Sequence, residues 1–92
     1  MSLIWGQIYH VPKIGTMIKS ITSDKYILLI TWLRDMRLKK NISMRDLAML
    51  IDEPHQFIGK IESCERRLDV YEYIQYCHAL DIDPTIGLKL LS

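Results

Sequence analysis

Residues 43–67, SMRDLAMLIDEPHQFIGKIESCERR, limit the possible folds of this chain more than any other stretch. Ser43 stands three residues before Asp46, the spacing of a helix-capping hydroxyl and its acidic counterpart, a variant of the capping box. Leu47, Ala48 and Ile51 follow at helical spacing and give that helix an inward face. The turn Asp52-Glu53-Pro54 ends it, and proline is tolerated in the first turn of the next helix because no donor is lost there. A second helix is predicted from about Pro54 to Ser63. It has Ile58 and Ile61 on one side and His55, Gln56, Gly59 and Lys60 on the other.

The remaining segments read as support for this pair. A helix is predicted from about Asp24 to Lys40, capped by Ser23 or Asp24, with Asn41 at its left-handed stop. Tyr26, Ile30, Leu33 and Arg37 form its inner stripe, and Leu28 and Trp32 form a second apolar pair that needs its own cover. Asp69, with Glu72 three residues on, opens a fourth helix that reaches about Leu80. Asp83-Pro84 opens a last short one containing Ile86, Leu88, Leu90 and Leu91. Residues 1–23, broken by Gly6, Pro12 and Gly15, read as a partly ordered arm, since Trp5, Ile8, Tyr9 and Val11 are not a solvated tail's composition. Five helices with short connections and no strong strand signal predict one all-α domain over residues 24–92 with an N-terminal extension.

Ninety-two residues bury one core, not two. No apolar run approaches the ~18 residues of a membrane span, and the first residues lack the pattern of a secretory signal, so a cytoplasmic protein is expected. Cys64 and Cys77 then read as reduced, buried or half-buried thiols. With His78 they lack both a CxxC pair and a fourth ligand, so neither a metal nor another cofactor is expected. The spread of Met17, Met36, Met44 and Met49 suits filler packing. His10, His55 and His78 are isolated, no nucleophile–base spacing or phosphate-cradling glycine loop is present, and an enzyme is not expected. Net charge is only +1, although residues 1–40 hold seven Lys/Arg against two Asp, and residues 68–92 one Lys against four acids. That asymmetry suits a polyanion without requiring one.

The outward side of the second helix of the pair carries the informative chemistry. Gln bonds adenine bidentately, Lys donates to guanine acceptors, His donates or accepts, and Gly59 allows close backbone approach at roughly 1 kcal/mol of helix propensity. Such a pair of helices is a vehicle for carrying side chains into the major groove of DNA. Glu62, one turn after Ile58, falls on the buried side, where a carboxylate needs a partner. Arg37, on the apolar stripe of the first helix, is the predicted partner.

Arg37, Ile42-Ser43, Leu47-Ala48, Ile51, Ile58-x-x-Ile61-Glu62, Arg66 and Ala79-Leu80-x-Ile82-x-Pro84 together resemble the Cro/CI or XRE group of helix-turn-helix proteins, with a lambda-repressor-like fold. The resemblance covers about residues 30–91. It implies a five-helix domain that binds double-stranded DNA, often as a homodimer on a palindromic site. It also implies an ion pair between Arg37 and Glu62, base reading by His55, Gln56, Gly59 and Lys60, and phosphate contacts from Lys40, Ser43, Arg45, Arg66 and Arg67. The chain departs from the family's pattern at Met44, where a bracing glutamine is usual, and at Asp52 and Cys64, where glycines are usual. It departs also at Pro54 and Phe57, where small polar residues are usual, and Asp52 and Glu53 put negative charge beside the presumed phosphate backbone. Phe57 is open between a thymine methyl and a neighbouring helix. The expected function is a sequence-specific regulator of the repressor type. The alternative is an antitoxin-like protein-interaction module, suggested by surplus apolar side chains at Leu28, Trp32, Tyr71, Tyr76 and the last helix.

Overall fold

Helix α1, Asp24–Lys39, begins with an acidic residue in its first turn and ends with Arg37 and Lys39 in its last, both favourable to the helix dipole. A computed structural model describes residues 24–92, so the expectations for the arm lie outside the described residues. Tyr26, Leu29, Ile30, Leu33 and Arg37 form the buried stripe of α1, one residue wider than the spacing predicted. The helix stops at Asn41, which takes a left-handed φ of 58°.

Helix α2 is Met44–Leu50, with Ser43 outside it as the N-cap: its Oγ accepts from the Asp46 N–H at 3.0 Å. Helix α3 is His55–Glu62, one residue shorter at each end than predicted. Pro54 is its N-cap, with ψ of 149°, and not part of its first turn. The proline ring holds φ at −60°, and the Pro54 carbonyl accepts from the Phe57 N–H at 2.9 Å. Helix α4 is Val70–Leu80 and carries a complete capping box between Asp69 and Glu72. Helix α5 is Pro84–Lys89, capped by Asp83, so Leu90 and Leu91 fall beyond it.

Among the described residues, four that are not glycine have left-handed φ, Asn41, Asp52, Cys64 and Asp81, and each follows the end of one of the first four helices. Asn and Asp visit this region at modest cost because a short polar side chain bonds locally, whereas Cys64 has no such compensation. No strand occurs among the described residues.

The five helices enclose one core in which Leu33, Leu47, Ile58, Ile61, Tyr76, Cys77 and Leu80 are almost wholly sequestered. Burying side chains of this size stabilises the fold by about 1.5–3 kcal/mol each. Tyr76 therefore belongs to the core, correcting its assignment to surplus apolar surface. Trp32 is likewise covered in part, because α5 crosses α1 at Gly87. A Cβ on Gly87 would stand 2.5 Å from the Trp32 ring and 2.9 Å from Leu29, and closer still to the Tyr73 hydroxyl. The close crossing requires a residue without a side chain, and Tyr73 Oη secures it by donating to the Pro84 carbonyl at 2.5 Å. Leu28 remains half exposed, and Met49 is largely exposed and so fills no core gap.

Candidate nucleic-acid interface

The apolar positions of α2 and α3 fix which residues turn outward. With Leu47 and Ala48 inward on α2, and Phe57, Ile58 and Ile61 inward on α3, the side chains of His55, Gln56 and Lys60 are exposed on the far side of α3. Gly59 is half-buried between them, and the Met44 sulfur lies 3.9 Å from where a Gly59 Cβ would be. Met44, at the start of α2, thus places its sulfur beside the open side of Gly59 on α3, in the position where the resemblance implied a bracing glutamine.

Gln56, Phe57 and Lys60 share a shallow cleft with Glu53, Pro54 and Arg66. Phe57 is buried at its floor and Arg66 covers it, the guanidinium carbon 4.7 Å from the ring centroid. That geometry is a cation–π contact and settles Phe57 as a packing residue. Arg66 is also bidentate on Glu72, Nη1 and Nη2 each 2.9 Å from a carboxylate oxygen, and Nη1 donates to the Arg67 carbonyl at 3.2 Å. The pairing with Arg66 holds the Glu72 carboxyl below its ordinary range, with help from the Asp69 N–H.

The other phosphate candidates are distributed unevenly. Ser43 uses an oxygen lone pair for the α2 cap and keeps its hydroxyl proton as a donor. Arg45 and Arg67 are exposed. Lys40 is drawn toward α4, its Nζ donating to the Asp81 carbonyl at 3.1 Å.

Behind the interface, Arg37 Nε lies 2.6 Å from Glu62 Oε2 and Nη2 lies 3.0 Å from Oε1. Its Nη1 donates to the Ile42 carbonyl at 2.8 Å, and both charged side chains are nearly excluded from water. The Glu62 hydrogen bonds push the Arg37 pKa further up, outweighing the opposing effect of burial. Arg34, half exposed, approaches the same carboxylate at 4.0 Å. Tyr76 Oη is buried without a hydrogen-bond partner, and burial first, then the Glu62 charge, raises its pKa.

Sequence reasoning identified the Arg37–Glu62 relationship but not that between Arg66 and Glu72. Glu72 was visible only as a capping residue, and a pair spanning the α3–α4 loop leaves no periodic trace. Gly87 carried no signal beyond being a glycine in a short helix. Cys64 is half-buried and Cys77 buried, both as free thiols, and burial raises the Cys77 pKa.

A short capped helix packed across a second one that displays hydrogen-bond donors outward defines the helix-turn-helix class of DNA-binding protein. The helix-turn-helix family profile matches residues 33–86, from the middle of α1 into α5. A solved structure, an XRE-family like protein from Pseudomonas syringae pv. tomato str. DC3000, is 35% identical, with a TM-score of 0.73 over 80% of this chain and 92% of that one. A comparison with curated proteins returns no match. The chain belongs to the XRE-type helix-turn-helix family, whose members are DNA-binding regulators.

Proposed function

We propose that this protein is a sequence-specific transcriptional regulator of the repressor type that reads the major groove of double-stranded DNA with α3. The observation that carries this reading is the outward set of His55, Gln56 and Lys60 on a helix whose opposite face is wholly in the core. In this reading Gln56 pairs with adenine, Lys60 with guanine acceptors and His55 with either edge, while Gly59 admits the backbone. Ser43, Arg45 and Arg67 hold the phosphates, with Lys40 at the margin. Two copies related by a two-fold axis place two α3 helices on half-sites about one turn of DNA apart, ~34 Å. The same fold in the cytoplasm then represses by occupying its operator.

Selection of bound sequences from a random duplex pool tests the proposal. A recovered consensus with two related half-sites is expected. Gln56→Ala then relaxes the preference at one base pair per half-site, where a good contact gives ~1–3 kcal/mol of discrimination. Recovery of no consensus, with binding equal across sequences, refutes base reading by α3.

An apolar groove supports a second reading, a protein-interaction module of antitoxin type. Val70 and Ile74 of α4 and Leu88 and Leu91 at the C-terminal end line it, and all four are exposed. Binding to duplex DNA that falls steeply with salt favours the regulator, because phosphate contacts release counterions. Salt-insensitive or absent binding favours the module.

A further inference from the structure

Arg66 stands at the rim of the proposed DNA-binding face, in the cleft it shares with Gln56 and Lys60. A guanidinium there is well placed for a phosphate, yet its planar fork is already matched to a carboxylate. Both terminal nitrogens of Arg66 sit 2.9 Å from Glu72 oxygens, and one face of the group lies over Phe57. Glu72 is itself held. Its Oε1 accepts from the Asp69 N–H at 3.0 Å while its own N–H donates to Asp69 Oδ1 at 2.8 Å, and its side chain is only 12% exposed. The carboxylate is therefore fixed by the start of α4, and the arginine is the more exposed partner, at 44%.

We infer that Glu72 is a positioning residue that withholds Arg66 from the DNA backbone, so that duplex affinity is one phosphate contact weaker than the basic residues of this face allow. Arg66 instead clamps Phe57, and through it α3, against the α3–α4 loop. This inference rests on the DNA-binding reading above and adds to it a determinant of affinity that lies outside both helices of the motif. Phosphate and carboxylate compete for the same planar fork of donors. Glu72 wins because it is tethered and already oriented by its cap, whereas a phosphate must be brought in by the whole complex.

A double-substitution cycle on the full chain tests it, with binding to a random-sequence duplex measured from 50 to 200 mM salt. Glu72→Gln keeps a residue suited to the third position of the capping box but removes the charge that holds Arg66. In that background the slope of log affinity against log salt steepens by about 0.9, the value of one added phosphate contact. Arg66→Gln changes the slope little in the native background and removes the added 0.9 in the Glu72→Gln background. Thermal melts of each variant establish that the domain remains folded. An equal loss from Arg66→Gln in both backgrounds overturns the inference, since Arg66 then already binds phosphate in the native protein. An unchanged slope in Glu72→Gln overturns it as well. Absence of any salt-dependent duplex binding by the native chain overturns the inference together with the DNA-binding reading.

Discussion

Arg37 and Glu62, 25 residues apart, close a two-bond ion pair that ties α1 to the C-terminal end of α3. The third bond from Arg37, to the Ile42 carbonyl, extends the tie to the segment leading into α2. One buried cation thus fixes the outward angle of α3 against both elements behind it. The pair is worth little for stability compared with an apolar substitute, because desolvation offsets most of its attraction. Removing one partner is a different matter.

Glu62→Ala strands a buried guanidinium and is expected to cost about 3–5 kcal/mol of folding free energy. Urea denaturation followed by circular dichroism measures it. A loss below about 1 kcal/mol contradicts the burial of the pair and points to solvent reaching Arg37 in solution.

Gly59 of α3 and Gly87 of α5 make opposite predictions. At Gly59 an added methyl meets only the Met44 sulfur at 3.9 Å, an ordinary contact. Gly59→Ala should therefore stabilise the domain by up to about 1 kcal/mol through helix propensity. The same methyl narrows the approach of α3 to base edges, so operator affinity should fall while stability rises. A rise in both removes Gly59 from the reading face.

Gly87→Ala has no such freedom, because the Cβ collides with Trp32, Leu29 and Tyr73 at the α1–α5 crossing. Overpacking of this kind costs about 1–3 kcal/mol, and a melting temperature that stays unchanged would show that α5 shifts without penalty.

The architecture was largely legible in the sequence because each helix carries its own local signals. The Ser43 cap, the Asp69–Glu72 box and Asp83-Pro84 mark starts, and Asn41 marks a stop by side-chain chemistry alone. The Arg37–Glu62 relationship was readable because two charges on apolar stripes each demand a partner. The helix ends at Asp52 and Cys64 were harder, since both take a left-handed conformation that glycine usually supplies. Tyr76 was counted as surplus apolar surface because spacing within α4 does not show which of its aromatic rings the other helices cover, and its ring is wholly buried with the hydroxyl unpaired. The coverage of Trp32 by α5 and the Arg66–Glu72–Phe57 cluster depend on how loops bring distant helices together, which spacing within one helix does not encode.

Acid should weaken the α3–α4 connection in a defined direction. Arg66 lowers the Glu72 pKa below its ordinary value of 4.5, so this group contributes stability that is present above that value and lost as pH falls through the lowered one. Stability should decline below about pH 4.5, and part of that decline should disappear in Glu72→Gln, which has no proton to take up. Denaturation midpoints at pH 3–6 for both proteins provide the check. Parallel curves would mean that Glu72 is not preferentially charged in the folded state.

The apolar groove predicts association. Val70, Ile74, Leu88 and Leu91 line an exposed apolar surface that joins the start of α4 to the C-terminal end of the chain. Patches of this kind on a small domain mark contact sites more often than idle surface. A two-fold pairing uses each patch twice, so every buried leucine counts in both subunits, at about 1.5–3 kcal/mol for a side chain fully removed from water. The native chain should therefore sediment as a dimer at micromolar concentration. Leu88 is half exposed, so Leu88→Glu leaves the monomer's core intact while placing a charge in the seam. That variant should sediment as a monomer with an unchanged melting temperature, and should lose most of its preference for duplexes carrying two half-sites over those carrying one. A monomer mass for the native chain in the absence of DNA would refute the pairing and leave the groove to a different occupant.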